Sequence, residues 1–375
     1  MRGRPALAAA GTLALTGLLV AALVAAAGYD AGAALAALWR GSLGSPDALL
    51  SATLVRATPL LLAGLAVALA FRAGVLNIGA EGQLLAGAAA AAAVGVLGAA
   101  AAGRAAPVLM LAAGALAGAL WAGVAAVLRR RFGVLDVIGT LMLNFVALHL
   151  VSYLVRGPLQ EPTHIYPQTP TLADAARLPR IAEGVRLHWG FPLALVAALA
   201  LWYVLRSTAA GFRLRVVGAS PRAARSAGRV DVERTVAAAF LASGALAGLA
   251  GAVEVGGVTY ALYENISPGY GYTAIAVALL ARLHPLAVVP SAVLFGALEA
   301  GAAAMQRDAG VPSVLVSVVE ATLILVVLAA GRVAAIRSVG APASARGAPP
   351  ASNVTPNASA AVTEFGQAAS LPSVP

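Results

Sequence analysis

The sequence predicts an all-α fold, a polytopic integral membrane bundle of about ten transmembrane helices. Three observations lead to this prediction. Of the 375 residues, 61% are hydrophobic and 11% are charged, whereas soluble domains are about 45–50% apolar and about 25% charged. The apolar residues form long runs, and one membrane crossing needs about 20 of them. The arginines are concentrated between these runs.

Ten apolar segments are candidate crossings, judged by hydropathy and length. They lie at 7–27, 57–71, 84–102, 107–128, 137–155, 190–206, 236–256, 272–288, 289–306 and 312–331. The eighth and ninth are hard to divide, because only His284-Pro285 and Pro290 interrupt the apolar run. The first follows Arg2 and Arg4, as a cleaved signal peptide would. Because this run is longer than a typical signal core, we expect it to be retained as a membrane helix.

The distribution of arginines predicts the orientation of the bundle. With ten crossings and a cytoplasmic N-terminus, 17 of the 25 arginines fall inside and 8 outside, in agreement with the positive-inside rule. Both termini are therefore predicted to be cytoplasmic, with residues 1–337 forming the membrane domain. Residues 156–189 become an extracytoplasmic loop and 206–235 a basic cytoplasmic loop. The tail, 338–375, is rich in alanine, proline and serine and is predicted to be disordered.

Composition excludes several kinds of chemistry. The chain has no cysteine, which excludes disulfides, thiolate catalysis and cysteine metal sites. Its four histidines are scattered and form no metal-binding motif. All basic residues are arginine, so a standard phosphate-binding loop with its lysine is impossible and any ATP hydrolysis must belong to another polypeptide. The net charge of +10 indicates membrane orientation here, and we predict no nucleic-acid partner.

Small residues recur at helical spacing in two of the apolar segments. Gly114 and Gly118 form one small-x-x-x-small pattern, and Gly244 and Gly248 form another. Because glycine lets helix backbones approach closely, both pairs predict helix packing.

Polar side chains at membrane depth, within the apolar segments or between two of them, are the candidate functional residues, because burying them in lipid is costly. In 71–83, Asn77 and Glu81 would share a helix face, and the glycines there permit an irregular chain that leaves helix-start N–H groups free for a ligand. An ordinary cytoplasmic turn explains the same residues equally well. Thr140 and Asn144 also share a helix face, which indicates either hydrogen bonding between helices or the lining of a pathway.

Three further acids lie in the apolar segments, at Glu254, Glu299 and Glu320. Each could pair with a polar neighbour, but three acids without matching buried arginines favour a polar central cavity. The segment 264–272 lies outside or re-enters the membrane. Its tyrosines would anchor it at the interface or stack on a flat ligand.

The basic loop contains a short helix signal. Ser220 is a good N-cap, Pro221 suits the first helical position and Gly228 suits the C-terminal end. A two-turn helix is therefore predicted. It could lie on anionic lipid or dock a cytoplasmic subunit.

Several stretches resemble permeases of ABC importers for branched-chain amino acids, simple sugars and nucleosides. The loop 218–232 resembles their coupling-helix region. Others are closer to the nucleoside (BmpA-type) permeases, namely 71–83, 140–144, 155–159, 243–257 and 269–280. The resemblance extends from about residue 50 to 331. Glu320 departs from it, since a neutral polar residue is expected there.

The resemblance implies a translocation subunit without catalysis or cofactor of its own, moving nucleosides or simple sugars across the bacterial inner membrane by alternating access. ATP and Mg would be used by partner ABC ATPase subunits, which dock at the coupling residues Gly218, Ser220, Arg222, Ala223, Ala224, Arg225 and Gly228. Further implied partners are a second permease subunit in a heterodimer, an extracytoplasmic substrate-binding lipoprotein and membrane lipid. The candidate pathway residues are Asn77, Glu81, Gln83, Asn144, Glu254 and Glu299.

Two other function classes compete with this one. An ion-gradient-driven secondary transporter would use Glu81, Glu254 and Glu299 as coupling carboxylates. A membrane-embedded enzyme has no support from any Ser/His/Asp, metal or paired-carboxylate arrangement in the sequence.

Overall fold

The computed structural model describes residues 17–226, 228, 230–312, 314–319, 321–322, 325–326 and 329. They belong to one compact unit, Met1–Arg332. The predicted first crossing at 7–27 and last crossing at 312–331 are therefore described only in part. Glu320 and the predicted tail at 338–375 lie outside the described residues.

All regular elements of the described residues are helices, with no β-strand among them, so the all-α prediction is confirmed for them. In chain order the helices are α1 (Gly17–Ala26), α2 (Ala31–Ser42), α3 (Leu54–Arg72), α4 (Ala80–Leu97), α5 (Ala99–Ala102), α6 (Ala106–Phe132), α7 (Asp136–Arg156), α8 (Gly190–Ser207), α9 (Ala209–Ala219), α10 (Pro221–Ser226), α11 (Val232–Glu254), α12 (Tyr270–Leu280) and α13 (Pro285–Asp308). One π-helical segment, Ala48–Thr53, leads into α3, and another, Val255–Thr259, extends α11.

Seven helices in the described part of the chain are long and apolar enough to cross a membrane. They run over Ala48–Arg72, Ala80–Leu97, Gly103–Phe132, Asp136–Arg156, Gly190–Ser207, Val232–Thr259 and Pro285–Asp308. Two further apolar helices, α1 and α12, are shorter. The boundary drawn between 288 and 289 is wrong: α12 ends at Leu280 and α13 begins at Pro285. The break lies at the predicted His284-Pro285 interruption, and Pro290 lies inside α13. The break is earlier because Arg282 and Leu283 take left-handed φ angles of 50° and 59°.

Helix α3 is the centre of the bundle. Every residue from Ala57 to Ala70 is buried, as expected of a helix that is apolar on all sides. Helices α8, α11, α12 and α13 all pack against it. The polar side chains of the neighbouring helices can therefore reach α3 only where its backbone is accessible.

The two predicted glycine pairs meet, which confirms the packing prediction. A Cβ atom built on Gly248 of α11 would lie 2.8 Å from the Cα atom of Gly118 on α6. On α4, Gly87 is equally close, since its Cβ would lie 2.6 Å from the carbonyl carbon of Gly248. Helices α4, α6 and α11 therefore pack backbone to backbone, which only glycine permits.

Two irregular segments bring polar groups into the interior. After α3 the chain passes through 75–79, where Val75 and Asn77 are fully buried, and α4 begins at Ala80. After the π-helical end of α11, the segment 260–269 leads to α12. The starts of α4 and α12 touch, because a Cβ on Gly271 would lie 2.8 Å from the carbonyl carbon of Ala80.

The predicted short helix of the basic loop is present as α10. Its start is capped by the Ser220 hydroxyl, which accepts from the Ala223 amide at 3.2 Å. Its end is marked by Gly228, with a φ of 66°. Asp231 then caps α11 by accepting from the Arg234 amide at 2.9 Å. These caps explain why so short a helix is defined between α9 and α11.

Candidate functional site

A closed group of amides joins the irregular segment 75–79 to α4 and α11. Asn77 and Gln83 exchange two hydrogen bonds, Nδ2 to Oε1 at 3.0 Å and Nε2 to Oδ1 at 2.9 Å. The side-chain Nδ2 of Asn77 also donates to Ser243 Oγ at 2.9 Å. Ser243 in turn donates to the Ala66 carbonyl of α3 at 2.8 Å. The two amides therefore tie three helices together in the core.

A second group joins the same segment to α7. The side-chain oxygen Oδ1 of Asn144 accepts from the Gly82 backbone amide at 2.8 Å, and its Nδ2 donates to the Ile78 backbone carbonyl at 3.0 Å. Nδ2 also lies 3.2 Å from the Tyr272 hydroxyl of α12. Thr140 accepts from the Ile78 amide at 3.2 Å. Backbone groups left unpaired by the irregular chain are thus satisfied by side chains, as burial requires.

Glu81 connects the starts of α4 and α12. Its Oε2 accepts from the Gly271 amide at 2.7 Å, and Ser267 is a further hydrogen-bonding partner. We call this contact between Glu81, Ser267 and Gly271 the α4–α12 junction. A carboxylate at a helix N-terminus meets both a free N–H group and the positive end of the helix dipole.

The structure thus brings four predicted pathway residues together. They are Asn77, Glu81, Gln83 and Asn144. All four are buried, and Asn77 is 0% exposed. Their polar atoms bond largely to the backbone and to each other, so they organise the two irregular segments.

The other two predicted pathway residues, Glu254 and Glu299, line a separate polar cavity of about 690 Å³. Its wall combines the start of α3, the end of α11, the segment 258–268, and α13. Besides the two acids, its polar lining includes Ser51, Arg56, Arg186, Thr259, Tyr263, Asn265, Tyr270, Thr273, Gln306, Arg307 and Ser317.

Both acids in the polar cavity have arginines close by. Arg56, Arg186 and Arg307 line the same cavity, and the first two exert an attractive charge interaction on Glu254. Arg56 is half-buried and Arg186 is exposed, so the absence of matching buried arginines stays a prediction for Glu254. No local pattern predicts that Arg186 reaches the cavity, because it comes from the distant loop at 157–189.

Glu254 has an unused hydrogen-bonding atom. Its side chain is only 4% exposed, and Oε2 has no partner among the residues that the structure describes. A buried, unpaired carboxylate oxygen is costly, so this atom is available to a hydrogen-bond donor in the cavity.

Aromatic side chains complete the wall of the polar cavity. Tyr270 is 6% exposed and Tyr263 is 38% exposed, and both line it. Tyr272, which also had been a candidate for stacking on a ligand, is placed instead beside Asn144. Tyr263 and Arg56 were missed from the sequence. Arg56 has a sequence signal, because it directly precedes the apolar run 57–71, whereas Tyr263 follows no periodic signal.

The loop 157–189 covers this end of α11 through backbone hydrogen bonds. The amides of Thr169, Leu172 and Leu178 donate to the carbonyls of Leu262, Tyr260 and Gly256, at 2.8, 2.7 and 2.8 Å. The loop also reaches the π-helical segment before α3, where Ser51 Oγ accepts from the Arg186 amide at 3.2 Å. The loop and the segment 260–269 are therefore one structural layer.

Two side chains of this layer have shifted pKa values. Hydrogen bonds from Arg156 and Ser152 lower the pKa of Glu264 to about 2, and Arg156 Nε lies 2.7 Å from its Oε1. Burial lowers the pKa of His188 to about 4, because a Cβ on Gly257 would lie 2.6 Å from its ring. A neutral histidine and a charged glutamate are expected near neutral pH.

At the opposite end of α11, the predicted coupling residues surround α10. Gly218 packs on the Arg72 carbonyl at the end of α3, where no Cβ would fit. Arg222 and Ala223 are exposed, and Ala224 is buried against the bundle. Arg225 forms an ion pair of 2.9 Å with Glu233 of α11. Only part of the positive charge of α10 is therefore free for another molecule.

Among the described residues, no group of three or more His, Cys, Asp or Glu side chains could hold a metal ion. The polar cavity has two acids, but arginines share it.

Comparison with known proteins adds to this geometry. Residues 49–328 match the protein family described as "Branched-chain amino acid transport system / permease component". The chain is 39% identical to the guanosine ABC transporter permease protein NupP of Bacillus subtilis (strain 168), over 84% of this chain and 90% of that protein. No solved structure matches the chain significantly.

Two further relatives widen the comparison. The glucose ABC transporter permease protein TsgB13 of Haloferax volcanii is 41% identical to this chain, over 74% of this chain and 75% of the length of TsgB13. The guanosine ABC transporter permease protein NupQ of Bacillus subtilis is 30% identical over 65% of this chain and 78% of its own.

Proposed function

The chain belongs to the family of branched-chain amino acid transport system permease components, and from this premise we propose that it imports nucleosides or simple sugars. It is an integral membrane ABC transporter permease, a translocation subunit and not an enzyme, and ATP is hydrolysed by separate subunits. The family match leaves the secondary-transporter alternative without support. The observation that carries the substrate proposal is the pair of relatives named for guanosine and glucose.

The polar cavity supports this class of substrate. A nucleoside or sugar presents hydroxyl donors and a ring face, and the cavity offers the unpaired Glu254 oxygen and the Tyr263 ring. A wholly apolar cavity would leave such hydroxyl groups unpaired at a cost of about 1–3 kcal/mol each. We propose that Glu254 and Glu299 contact substrate during its passage.

The remaining pathway residues act one step away from the substrate in this proposal. The α4–α12 junction fixes the start of α12, where Tyr270 faces the polar cavity. Asn77, Gln83 and Asn144 hold the segment that carries Glu81. They therefore act on the pathway by holding its wall in place, and they do not contact the substrate themselves.

The topology is proposed to be ten crossings with both termini in the cytoplasm of a bacterial cell and the bundle in its inner membrane. The excess of arginines on the α9–α10 side supports this orientation. The membrane domain then spans 1–337 and the tail 338–375 is cytoplasmic. A substrate-binding lipoprotein would dock on the extracytoplasmic loop at 156–189.

The partner permease is proposed to be a second, related polypeptide. Two different guanosine permeases of one organism, NupP and NupQ, are both similar to this chain. Such a pair suggests a pseudo-symmetric heterodimer, in surrounding membrane lipid.

ATPase docking is proposed at the coupling residues around α10, from Gly218 to Gly228. This loop projects beyond the apolar segments and exposes Arg222. The Arg222→Glu variant should reduce recovery of the ATPase with the affinity-purified permease by about tenfold, since a close charge pair contributes about 1.5 kcal/mol or more. Arg104→Glu, an exposed charge reversal before α6, is the matched control. Equal recovery of the ATPase with Arg222→Glu and with wild type would overturn the docking assignment.

A further inference from the structure

A second cavity, of about 840 Å³, lies away from the polar cavity. It is a groove between α8 and α11, both of which pack on α3, and Leu69 of α3 contributes to its floor. Alanines form much of its wall, including Ala197 and Ala200 on α8 and Ala238 and Ala242 on α11, and the remaining apolar lining is leucine and valine. We call it the alanine groove. Because these side chains are short, the two helices leave a channel between them.

The alanine groove has one charged end. Arg213 of α9 and Arg234 of α11 line it there, together with Asp231 and Thr235. Arg234 pairs with Asp231 at 3.1 Å and remains 87% exposed. Arg213 is exposed and forms no ion pair with any described residue. The charged end is thus net positive, while the rest of the groove is apolar.

The length of the alanine groove matches one leaflet of a membrane. Along α11 its lining extends from Arg234 to Leu246, which is about 18 Å at 1.5 Å per residue. Half of the hydrocarbon core is about 15 Å. The charged end lies next to α9 and α10, where a membrane interface is expected. An apolar groove of this length with cations at the interface has the shape and charge of a phospholipid site.

We propose that the alanine groove binds one phospholipid with an anionic headgroup. An acyl chain lies along the alanine walls, and the headgroup phosphate accepts hydrogen bonds from Arg213 and Arg234. Arginine is suited to this contact because its planar fork can donate two parallel hydrogen bonds to a phosphate. The lipid would link α8, α9 and α11, and α9 continues directly into the helix at which the ATPase is proposed to dock. The proposal does not depend on the identity of the transported substrate.

The test uses the full permease complex, depleted of lipid and then mixed with defined lipids. Bound lipid is counted by native mass spectrometry during titration with phosphatidylglycerol, phosphatidylcholine or inorganic phosphate. Wild type should bind phosphatidylglycerol in preference to phosphatidylcholine, and inorganic phosphate should not compete because it has no acyl chain. Equal binding of the two lipids, or displacement by inorganic phosphate, overturns the proposal.

Two kinds of variant test the groove itself. Arg213→Gln plus Arg234→Gln should bind phosphatidylglycerol about 30-fold more weakly, since each arginine near a membrane surface contributes about one kcal/mol. Ala242→Leu should block the channel, whereas Ala112→Leu, at an exposed position of α6, is its matched control. Arg104→Gln controls for loss of charge.

Unchanged phosphatidylglycerol binding in both test variants would overturn the proposal. The proposal would also be overturned if the second permease, and not a lipid, occupied the alanine groove. In that case Ala242→Leu would reduce heterodimer recovery and leave the amount of bound lipid unchanged.

Discussion

Replacing Glu81 by alanine should impair transport by loosening the α4–α12 junction. The substitution removes the acceptor for the Gly271 amide, now 2.7 Å away, in a position where Glu81 is 7% exposed. A hydrogen bond to a charged group contributes about 1.5–3 kcal/mol, and every 1.4 kcal/mol is about tenfold in an equilibrium. The docked position of α12 should therefore become roughly 10- to 150-fold less favoured.

The assay is ATP-driven uptake by the reconstituted complex, with the recovery of all subunits measured alongside. We expect Glu81→Ala to reduce the uptake rate at least about tenfold, while subunit recovery stays at the wild-type level. Glu81→Gln keeps a side-chain oxygen that can accept from the Gly271 amide, so it should retain most of the uptake. Glu183→Ala, at an exposed position of the loop 157–189, is the control for loss of a carboxylate.

Two outcomes would refute this reasoning. Wild-type uptake by Glu81→Ala would show that the junction has no role in transport. Uptake by Glu81→Gln as low as that of Glu81→Ala would show that the charge matters and that the hydrogen bond does not.

The remaining predictions concern helix packing and the layer formed by the loop 157–189 and the segment 260–269. Gly248→Ala should lower the thermal midpoint of the detergent-purified protein, because backbone crowding costs about 1–3 kcal/mol. Gly123→Ala is the control and should leave the midpoint unchanged, since its Cβ would meet only a Leu241 methyl at 3.3 Å. Equal midpoints for the two variants would contradict the packing. Because the pKa of Glu264 is lowered to about 2, its contact with Arg156 should be fully formed at any pH above the pKa of an unperturbed glutamate, 4.5. The contact should be lost only as pH falls toward 2. Protease cleavage in the segment 260–269 should thus be constant from pH 8 to pH 5 in wild type and higher throughout in Glu264→Gln, and a rise in wild type within that range would count against the ion pair.

Long apolar runs and glycine spacing predicted the parts of the fold that depend on local pattern. The pairing of Gly114 and Gly118 with Gly244 and Gly248 follows from small side chains at helical spacing. Helix α2 was missed, although Asp30 gave a signal, since its carboxylate caps the Ala33 amide at 3.0 Å. That helix is short and follows the first apolar run closely, so hydropathy alone does not separate it.

The candidate site was predictable as a list of residues but not as an arrangement. Burial cost alone selects polar groups such as Asn77, between two apolar runs, and Glu254, within one. Their partners are distant in sequence: Asn77 bonds to Ser243, 166 positions away, and Glu81 to Gly271, 190 positions away. Such contacts depend on how α4, α11 and α12 pack, and no local period encodes that packing.

The most direct test of the central claim is nucleoside and glucose uptake into vesicles that contain this chain, its second permease and the ATPase, with the binding protein supplied on the outer face. We predict accumulation of one of these solutes that requires internal ATP and stops when the ATPase is omitted. Accumulation by this chain alone on a proton or sodium gradient, without ATPase or ATP, would contradict the account.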